Sequence, residues 1–460
     1  MNINNKILGV VLSAAAFIST FNALPNSAAS AETGEMRNIT TMELVHDMGL
    51  GINLGNTMES CGDWIDKYGD GSVRSYETAW GSPVITEAMI DGYANEGFGT
   101  LRIPVAWSNL MGENYTISAD YLKRVRQLVD WAIEDDMYVI LNIHYDGGWF
   151  SGFSTDKSNC MTKYKRIWEQ LTEEFADYSD FLVFESLNEE GVWNDLPQAD
   201  AYAMLNEINQ TFVDIVRSSG GNNGERHLLI AGYATDFDKT CSSLFKMPDD
   251  PMSRCAVSVH YYTPSTFCIL EEDASWGKNR TTWGTANDIK QLNYYMSKMK
   301  TNFVDKGIPV IIGEYGCPKK NKEADSVRLF LTTAAKTAYD MGMCPVLWDI
   351  TGLHYDRTTC KMTDTKLKQA FWSILGKTPE YALGDVDMDG AVNSSDASTV
   401  LSTYALTSTG AVSPLSPSQI TLADVNSDNA VDSSDASAIL AFYAYTSTGG
   451  TIDNISDYLG

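Results

Sequence analysis

The chain has 460 residues, 44% of them hydrophobic, which is enough for a large core and for two or three domains. Its formal net charge of -27 at pH 7 argues against nucleic acid as a partner, because such a surface repels phosphates. The charge fits a secreted protein that acts on a neutral substrate. The 11 Trp and 23 Tyr are many for this length, and they serve as core residues or as flat rings for stacking on sugars.

Residues 1–31 are predicted to be a signal peptide. Lys6 gives a positive start, the apolar run over 7–18 is too short for a stable membrane anchor, and Ala29 to Ala31 fit the small-residue cleavage rule. Cleavage after Ala31 is expected, which predicts secretion. No other run reaches the length of a membrane helix, so no membrane contact is expected.

Residues 32–378 alternate between short apolar runs and amphipathic segments, which predicts an α/β fold. Eight runs are typical of strands, and they begin near residues 50, 99, 137, 180, 227, 255, 308 and 343. The runs are almost continuously apolar, as parallel strands buried on both faces should be. The pattern predicts a (β/α)8 barrel, in which active residues lie at the C-terminal ends of the strands.

Polar and aromatic residues recur at these predicted strand ends: Asn53 and Asn56, Arg102, His144 and Tyr145, Asn188 and Glu189, His260 and Tyr262, Glu314 and Tyr315, and Trp348 and Asp349. Glu189 and Glu314 are carboxylates in matching positions, after the fourth and seventh strands. Paired carboxylates are typical of glycoside hydrolysis, where a protonated one serves the leaving oxygen and an ionised one attacks the sugar or activates water. Like charges push the two pKa values apart, and Arg102 is placed to hold one carboxyl ionised.

Six short motifs follow one another at these strand ends: LRIP with Arg102, NIHY with His144, LNE with Asn188 and Glu189, HYY with His260 and Tyr262, GEYG with Glu314, and LWD with Trp348. In this order they resemble glycoside hydrolase family 5, over roughly residues 35–378. The motif WGSP, which begins at Trp80, and the start GINLGN are most similar to its cellulase-type subfamilies.

The resemblance implies a retaining, endo-acting β-glucanase that cleaves cellulose or related plant cell-wall β-glucans without a catalytic cofactor. It implies that Glu189 is the acid/base and Glu314 the nucleophile. It further implies that Asn188 binds the sugar 2-hydroxyl and that Trp348 stacks on the sugar before the cut. The remaining substrate-site residues would be Arg102, His144, His260 and Tyr262.

The chain departs from the family pattern at Glu190, where the family often has Pro. Side chains alternate along a strand, so Glu190 is expected to point away if Glu189 enters the barrel mouth, unless the strand has already ended.

Five further aromatic residues are equally well interpreted as sugar subsites or as buried packing: Trp64, Trp149, Trp193, Trp276 and Trp283. Among the eight Cys, Cys344 is expected to be a buried thiol, and Cys241 and Cys255 either form a disulfide or remain apart.

Residues 379–460 are predicted to form a separate small all-α domain. The run that begins at Gly384 recurs at Ala423, and the stretch from 381 onward has no Lys, Arg, Cys or Trp. Each copy matches a twelve-residue calcium loop. The expected ligands are Asp385, Asp387, Asp389, the Ala391 carbonyl, Asn393 and Asp396, and then Asp424, Asn426, Asp428, the Ala430 carbonyl, Asp432 and Asp435.

One helix is expected after each loop, and the loops end on Asp rather than on the Glu of sensor EF-hands. This arrangement resembles a dockerin, which implies structural Ca²⁺ and attachment to a cohesin of a cellulosome scaffold through Ser394, Ser395, Ser433 and Ser434. A calcium-clamped spacer without a partner is the alternative.

For the barrel, the alternatives are an endo-β-mannanase, a xyloglucanase, a mixed-linkage glucanase, or a catalytically silent carbohydrate-binding domain. The presence of both carboxylates and Arg102 argues against the silent domain.

Overall fold

The computed structural model describes residues 34–377 and 381–460. The predicted signal peptide lies outside the described residues. Among the helices of these two ranges, none is both long enough and apolar enough to span a bilayer.

The (β/α)8 barrel is confirmed: eight parallel strands pair in chain order and close between the last and the first. The strands are shorter than the apolar runs that predicted them: β1 Gly51–Asn53, β2 Thr100–Ile103, β3 Tyr138–Asn142, β4 Leu182–Glu185, β5 Leu228–Ala231, β6 Cys255–Tyr261, β7 Val310–Tyr315 and β8 Cys344–Leu347. All their residues except Cys255 are buried, because helices cover the outside of the barrel and side chains fill its inside.

Twelve α-helices belong to this part of the chain: α1 Thr41–Asp47, α2 Asp63–Tyr68, α3 Val73–Glu77, α4 Glu87–Asn95, α5 Ala119–Glu134, α6 Lys157–Glu174, α7 Gln198–Ser218, α8 Phe237–Thr240, α9 Ser265–Cys268, α10 Ala286–Asn302, α11 Ala324–Asp340 and α12 Thr365–Ile374. A two-stranded hairpin of β9 Tyr355–Asp356 and β10 Lys361–Met362 follows the last barrel strand. Helix α5 shows why the pattern folds this way, since Val125, Leu128, Val129 and Ala132 recur at helical spacing and are fully buried.

Residues 381–460 have a hydrophobic core of their own. It is enclosed by α13 Ser394–Thr407, α14 Pro417–Ala423, α15 Ser433–Ser447 and α16 Ile455–Leu459. Helices α13 and α15 follow the two loops as predicted. Helix α14 lies between α13 and the second loop and leads directly into that loop.

The fully buried Arg226 fastens the N-terminal end of β4. Its guanidinium donates to Asn223 Oδ1 and to four backbone carbonyls at 2.8–3.0 Å, those of Phe175, Tyr178, Ser179 and Leu182. Because these carbonyls belong to the segment that leads into β4, the contact fixes the strand that precedes Glu189.

Replacing Arg226 with Met is expected to lower the free energy of unfolding by about 3–5 kcal/mol, because several buried carbonyls lose their donor. Urea denaturation of the full chain measures this loss. The matched control is Arg166→Met, which removes an exposed pair with Glu169 and should cost under about 1 kcal/mol. Equal midpoints for the two variants would contradict the role given to Arg226.

The eight cysteines lie within the described residues and are all free thiols. Cys344 is buried, as expected. A disulfide between Cys241 and Cys255 is not formed: Cys241 Sγ lies 3.8 Å from the sulfur of Met299, and Cys255 Sγ lies 3.4 Å from a carboxylate oxygen of Asp250. The spacing of the two cysteines in sequence gave no information about these neighbours.

Candidate active site

Two carboxylates and one imidazole meet at the C-terminal mouth of the barrel. One oxygen of Glu189, one ring nitrogen of His260 and one oxygen of Glu314 lie within 4.8 Å of one another. His260 Nδ1 is 2.7 Å from Glu189 Oε1 and 3.5 Å from Glu314 Oε2. This spacing is near the roughly 5 Å of retaining glycosidases and shorter than the roughly 6.5–9.5 Å that leaves room for water in inverting ones.

The fully buried Arg102 connects several side chains beneath this site through hydrogen bonds. From the end of β2, its guanidinium donates to Glu314 Oε1 at 2.8 Å and to Asn188 Oδ1 at 2.9 Å. It also donates to Glu185 at 2.7 Å and to Asn53 at 3.0 Å. Arg102 therefore gives Glu314 a charged partner and fixes which way the Asn188 amide faces.

A bulge in β7 aims Glu314 into the mouth. Val259 pairs with Ile312, but the next residue of β6, His260, pairs with Glu314, so that Gly313 is an extra residue in β7. A Cβ on Gly313 would lie 2.9 Å from the Ser258 hydroxyl and 3.2 Å from His260 Nε2. Only glycine lets the two strands approach this closely, which brings His260 beside Glu314.

The two carboxylates differ in exposure. The side chain of Glu314 is 7% exposed and accepts a hydrogen bond from the Tyr262 hydroxyl at 2.9 Å. The side chain of Glu189 is 50% exposed and faces solvent. A substrate would therefore change the surroundings of Glu189 far more than those of Glu314.

The pKa values of the pair diverge in the free protein. Burial acts to raise the pKa of Glu189, but the hydrogen bond and charge of His260 and the charge of Arg102 outweigh it and lower that pKa. Burial raises the pKa of Glu314 above its ordinary value, although His260 and Arg102 oppose this. The divergence was expected, but its direction in the free protein is opposite to the one that the predicted acid/base role of Glu189 requires.

The first of the two Asp-rich loops in residues 381–460 has the geometry of a cation site. Oxygens of Asp385, Asp387 and Asp396 lie within 4.8 Å of one another, and burial raises the pKa of Asp385 to about 6. Buried carboxylates this close repel each other unless a cation neutralises them. The residues present therefore fit Ca²⁺.

The second loop repeats the backbone pattern of the first. Asp385 accepts from the Asp389 amide at 3.0 Å, and Asp424 accepts from the Asp428 amide at 3.0 Å. The sharp turn falls on Gly390 (φ 88°) in one loop and on Asn429 (φ 67°) in the other. Asn tolerates this left-handed conformation, as expected from the sequence.

The ninth position of each loop, Asn393 or Asp432, also caps the helix that follows. Asn393 and Asp432 cap α13 and α15 by accepting from the amides of Ser395 and Ser434 at 2.7 Å. In calcium loops this ninth position often reaches the ion through water, which is compatible with a capping side chain.

The family model described as cellulase, glycosyl hydrolase family 5, matches residues 64–353. The chain belongs to glycosyl hydrolase family 5. The resemblance read from the strand-end motifs is thereby confirmed, and the protein is a glycoside hydrolase.

Relatives in this family are similar over most of the chain. Endoglucanase B of Clostridium cellulovorans is 32% identical over 413 residues, which are 85% of this chain and 88% of that protein. A broad specificity endoglucanase from an uncultured bovine rumen ciliate has a TM-score of 0.67 at 37% identity, covering 74% of this chain and 98% of its own. A family 5 lichenase from Caldicellulosiruptor has a TM-score of 0.68 at 34% identity, covering 74% and 96%.

A dockerin type I domain matches residues 383–441. This match confirms the resemblance read from the repeated loop and helix. The family 5 barrel is therefore followed by a dockerin domain.

The structure also brings His144 and Trp348 of the family 5 motifs together. Their rings stack with centroids 5.9 Å apart and planes 10° from parallel. Burial, Arg102 and His260 hold the pKa of His144 well below its ordinary value, so this imidazole is neutral. Trp348 is half-buried, and Gly55 lies against its ring, since a Cβ there would be 3.1 Å from it.

Sequence reasoning missed Glu185, the last residue of β4. It is fully buried and binds Arg102, the Asn142 amide at 3.0 Å and the Ser258 hydroxyl at 2.7 Å. Because Glu185 is fully buried and its carboxylate lies 2.7 Å from the Arg102 guanidinium, it acts as a buried counter-ion for Arg102. A charged residue inside an apolar strand run requires a buried partner, and that signal could have identified it.

Glu190 lies beyond the end of β4, which stops at Glu185. The alternation argument for Glu190 therefore does not apply, because Asn188 and Glu189 already form a bend. Glu190 is half-buried, and burial together with the charge of Glu189 raises its pKa to about 7.

The five candidate aromatics divide by exposure. Trp193 and Trp283 are buried and serve packing, whereas Trp64 and Trp276 are 47% and 57% exposed. Trp149 is half-buried and donates to Asp146 at 2.7 Å.

Proposed function

We propose that this family 5 enzyme is a secreted, retaining endo-1,4-β-glucanase that cleaves cellulose or related cell-wall β-glucans. The main support for this proposal is the pair Glu189 and Glu314, whose carboxylate oxygens lie within 4.8 Å of each other at the barrel mouth. The endoglucanases among its relatives support the endo-cleavage of a β-glucan. Because a lichenase is among its structural neighbours, mixed-linkage glucan is a second candidate substrate.

In the first step, Glu314 attacks the anomeric carbon and forms a glycosyl ester. Glu189 gives its proton to the departing oxygen as the glycosidic bond breaks. A bound glucan covers the half-exposed Glu189, and the resulting loss of solvent raises its pKa toward the protonated form that this step needs. Glu314 is already buried, and Arg102 and Tyr262 stabilise its ionised form.

In the second step, Glu189 accepts a proton from water, which attacks the anomeric carbon and releases Glu314. Asn188 has its carbonyl oxygen occupied by Arg102, so its amide group faces outward to donate to the sugar 2-hydroxyl. Trp348, held against His144, supplies a flat surface for the sugar before the cut.

Replacing His260 with Asn is expected to move the whole pH profile of kcat/KM toward higher pH. His260 lowers the pKa of Glu189 and opposes the rise of the pKa of Glu314, so without it both pKa values are higher. Both limbs of the profile therefore move to higher pH, because kcat/KM reports the pKa values of the free enzyme. The measurement is kcat/KM on a soluble glucan across pH 4–9.

The matched control for this profile is His46→Asn, which changes an exposed histidine of α1 at the other end of the barrel. Its profile should coincide with that of the wild type. A His260→Asn profile that stays in place or moves to lower pH would contradict the coupling.

The substrate is tested on a panel of carboxymethyl cellulose, mixed-linkage glucan, xyloglucan and mannan. Endo-action predicts a fast fall in viscosity with few new reducing ends. The proposal fails if mannan is the best substrate, or if none of the four is cleaved, which is the outcome expected of a silent carbohydrate-binding barrel.

We further propose that the mature protein is a catalytic domain over 32–378 and a dockerin over 379–460, which holds Ca²⁺ in its two loops and binds a cohesin. The exposed Ser394, Ser395, Ser433 and Ser434 begin the two repeated helices and would form the contact surface. Secretion is consistent with this substrate, because an insoluble polymer cannot enter a cell and the enzyme must reach it outside.

A further inference from the structure

The positions of the two carboxylates divide the rim of the barrel into two arcs. Glu189 follows β4 and Glu314 forms part of β7, so β5 and β6 lie between them on one side and β8, β1, β2 and β3 on the other. A glucan whose scissile bond lies between the carboxylates must leave the site over both arcs. Trp348 follows β8 and is proposed to stack on the sugar before the cut. The long arc, formed by β8, β1, β2 and β3, therefore binds the sugars before the cut, and the short arc, formed by β5 and β6, binds the leaving group.

Trp276 lies on the short arc, in the loop between β6 and α10. Its side chain is 57% exposed, although it is a large apolar ring. It lies in a tight turn in which Ala274 and Gly277 exchange hydrogen bonds of 2.9 and 3.2 Å. The backbone that carries this exposed ring is therefore well defined.

The loop that carries Trp276 is also fastened to the neighbouring loop after β7. Lys322 donates to the Arg280 carbonyl at 2.8 Å, Asn321 donates to the Glu271 carbonyl at 2.9 Å, and the Glu323 amide donates to Thr281 at 2.9 Å. A ring held in place before the substrate arrives costs little conformational entropy on binding.

A further hydrogen bond ties the turn to α9, the short helix that follows β6. The Arg280 amide donates to the Thr266 carbonyl at 2.9 Å, and a Cβ on Gly277 would lie 3.0 Å from the Thr266 side chain. The turn therefore packs against the first helix after β6.

We propose that Trp276 is a stacking platform for a glucosyl unit on the leaving-group side of the scissile bond. This inference rests on the proposed roles of Glu189, Glu314 and Trp348. The apolar face of a glucosyl ring matches the exposed indole, and the same platform would hold an acceptor sugar after the first step. Its 4-hydroxyl attacks the anomeric carbon, the ester bond to Glu314 breaks, and the hydroxyl proton passes to Glu189.

The test compares two reactions of the full-length Trp276→Ala variant. Hydrolysis of β-cellotriosyl fluoride needs no sugar on the leaving-group side, so its kcat/KM should stay within about twofold of the wild type. Transfer of the cellotriosyl group to added cellobiose needs that sugar. The ratio of transfer to hydrolysis should fall about tenfold, equivalent to about 1.4 kcal/mol of lost acceptor binding.

Two further variants complete the test. Trp276→Tyr keeps an aromatic face and should restore most of the transfer. Tyr294→Ala removes a ring that is 59% exposed on α10, on the outer wall of the barrel, and should change neither reaction.

An unchanged transfer ratio in Trp276→Ala would overturn the inference, and so would an equal loss of both reactions, which would indicate a structural role. If the wild type cleaves neither the fluoride nor any glucan, the proposed function fails, and this inference fails with it.

Discussion

Replacing Glu314 with Gln is expected to lower kcat/KM on soluble carboxymethyl cellulose at least ~10⁴-fold, equivalent to about 5.5 kcal/mol of transition-state stabilisation. The amide keeps the shape of the side chain but cannot attack the anomeric carbon. It also leaves the buried Arg102 with a single carboxylate partner, Glu185, at 2.7 Å. Initial release of reducing ends is the measurement.

Glu190→Gln is the matched control for this variant. Glu190 is adjacent to Glu189 in sequence but follows the bend after β4, and the side-chain hydrogen bonds of Arg102, His260 and Tyr262 go to other residues. Its activity should stay within about tenfold of the wild type. Equal reducing-end release by wild type and Glu314→Gln would refute the enzymatic role of Glu314.

A variant of Glu189 separates the two carboxylate roles. Glu189→Ala should lose about 10²- to 10⁴-fold on a glucan, whose leaving alkoxide needs a proton. It should form the glycosyl ester at a near-normal rate from a 2,4-dinitrophenyl cellobioside, because that leaving group departs without protonation. If Glu189→Ala is as inactive on the activated substrate as Glu314→Ala, the assignment of the two roles is wrong.

Removing Ca²⁺ with EDTA is expected to unfold the dockerin domain while the barrel stays folded. The dockerin core contains only nine buried apolar side chains, and Asp385, Asp396 and Asp435 are buried carboxylates that need a cation. A ligand at 1,000 times its Kd contributes about 4.1 kcal/mol, which is comparable to the total stability of so small a core.

Differential scanning calorimetry of the full chain measures this effect. One transition should disappear with EDTA and return with excess Ca²⁺, while the barrel transition and the glucanase activity stay unchanged. The pair Asp385→Ala and Asp424→Ala should reproduce the loss without chelator, and binding of a cohesin should be lost in parallel. A dockerin transition that survives EDTA would contradict the calcium assignment and favour a core that folds without an ion.

The strands and the carboxylate pair could be predicted because their signals are local. A buried parallel strand is a short apolar run, and the barrel presents chemistry where such runs end, so Glu189 and Glu314 stood out by position alone. The repeated loops of the dockerin could be recognised for the same reason, since the side chains proposed as ligands in each loop fall within twelve consecutive residues.

The contacts that set the electrostatics of the site could not be read in this way. Glu185 binds Arg102 across 83 residues of sequence, and Arg102 reaches Glu314 across 212. The bulge at Gly313 depends on how close β6 lies to β7 at Ser258 and His260. The assignment of Trp193 and Trp283 to packing likewise depended on neighbours that are distant in sequence.

The sequence by itself determined that the chain folds into an eight-stranded barrel with two carboxylates at its mouth and that a dockerin module with a repeated loop and helix follows. Both conclusions depend on patterns within single elements. Only the tertiary structure decided that Arg102 links Glu185 to Glu314, that His260 lies between the two carboxylates, and that the free protein keeps the pKa of Glu189 low. Burial and charge act through space, and the side chains that produce them come from different strands, so their effect exists only after the barrel has closed.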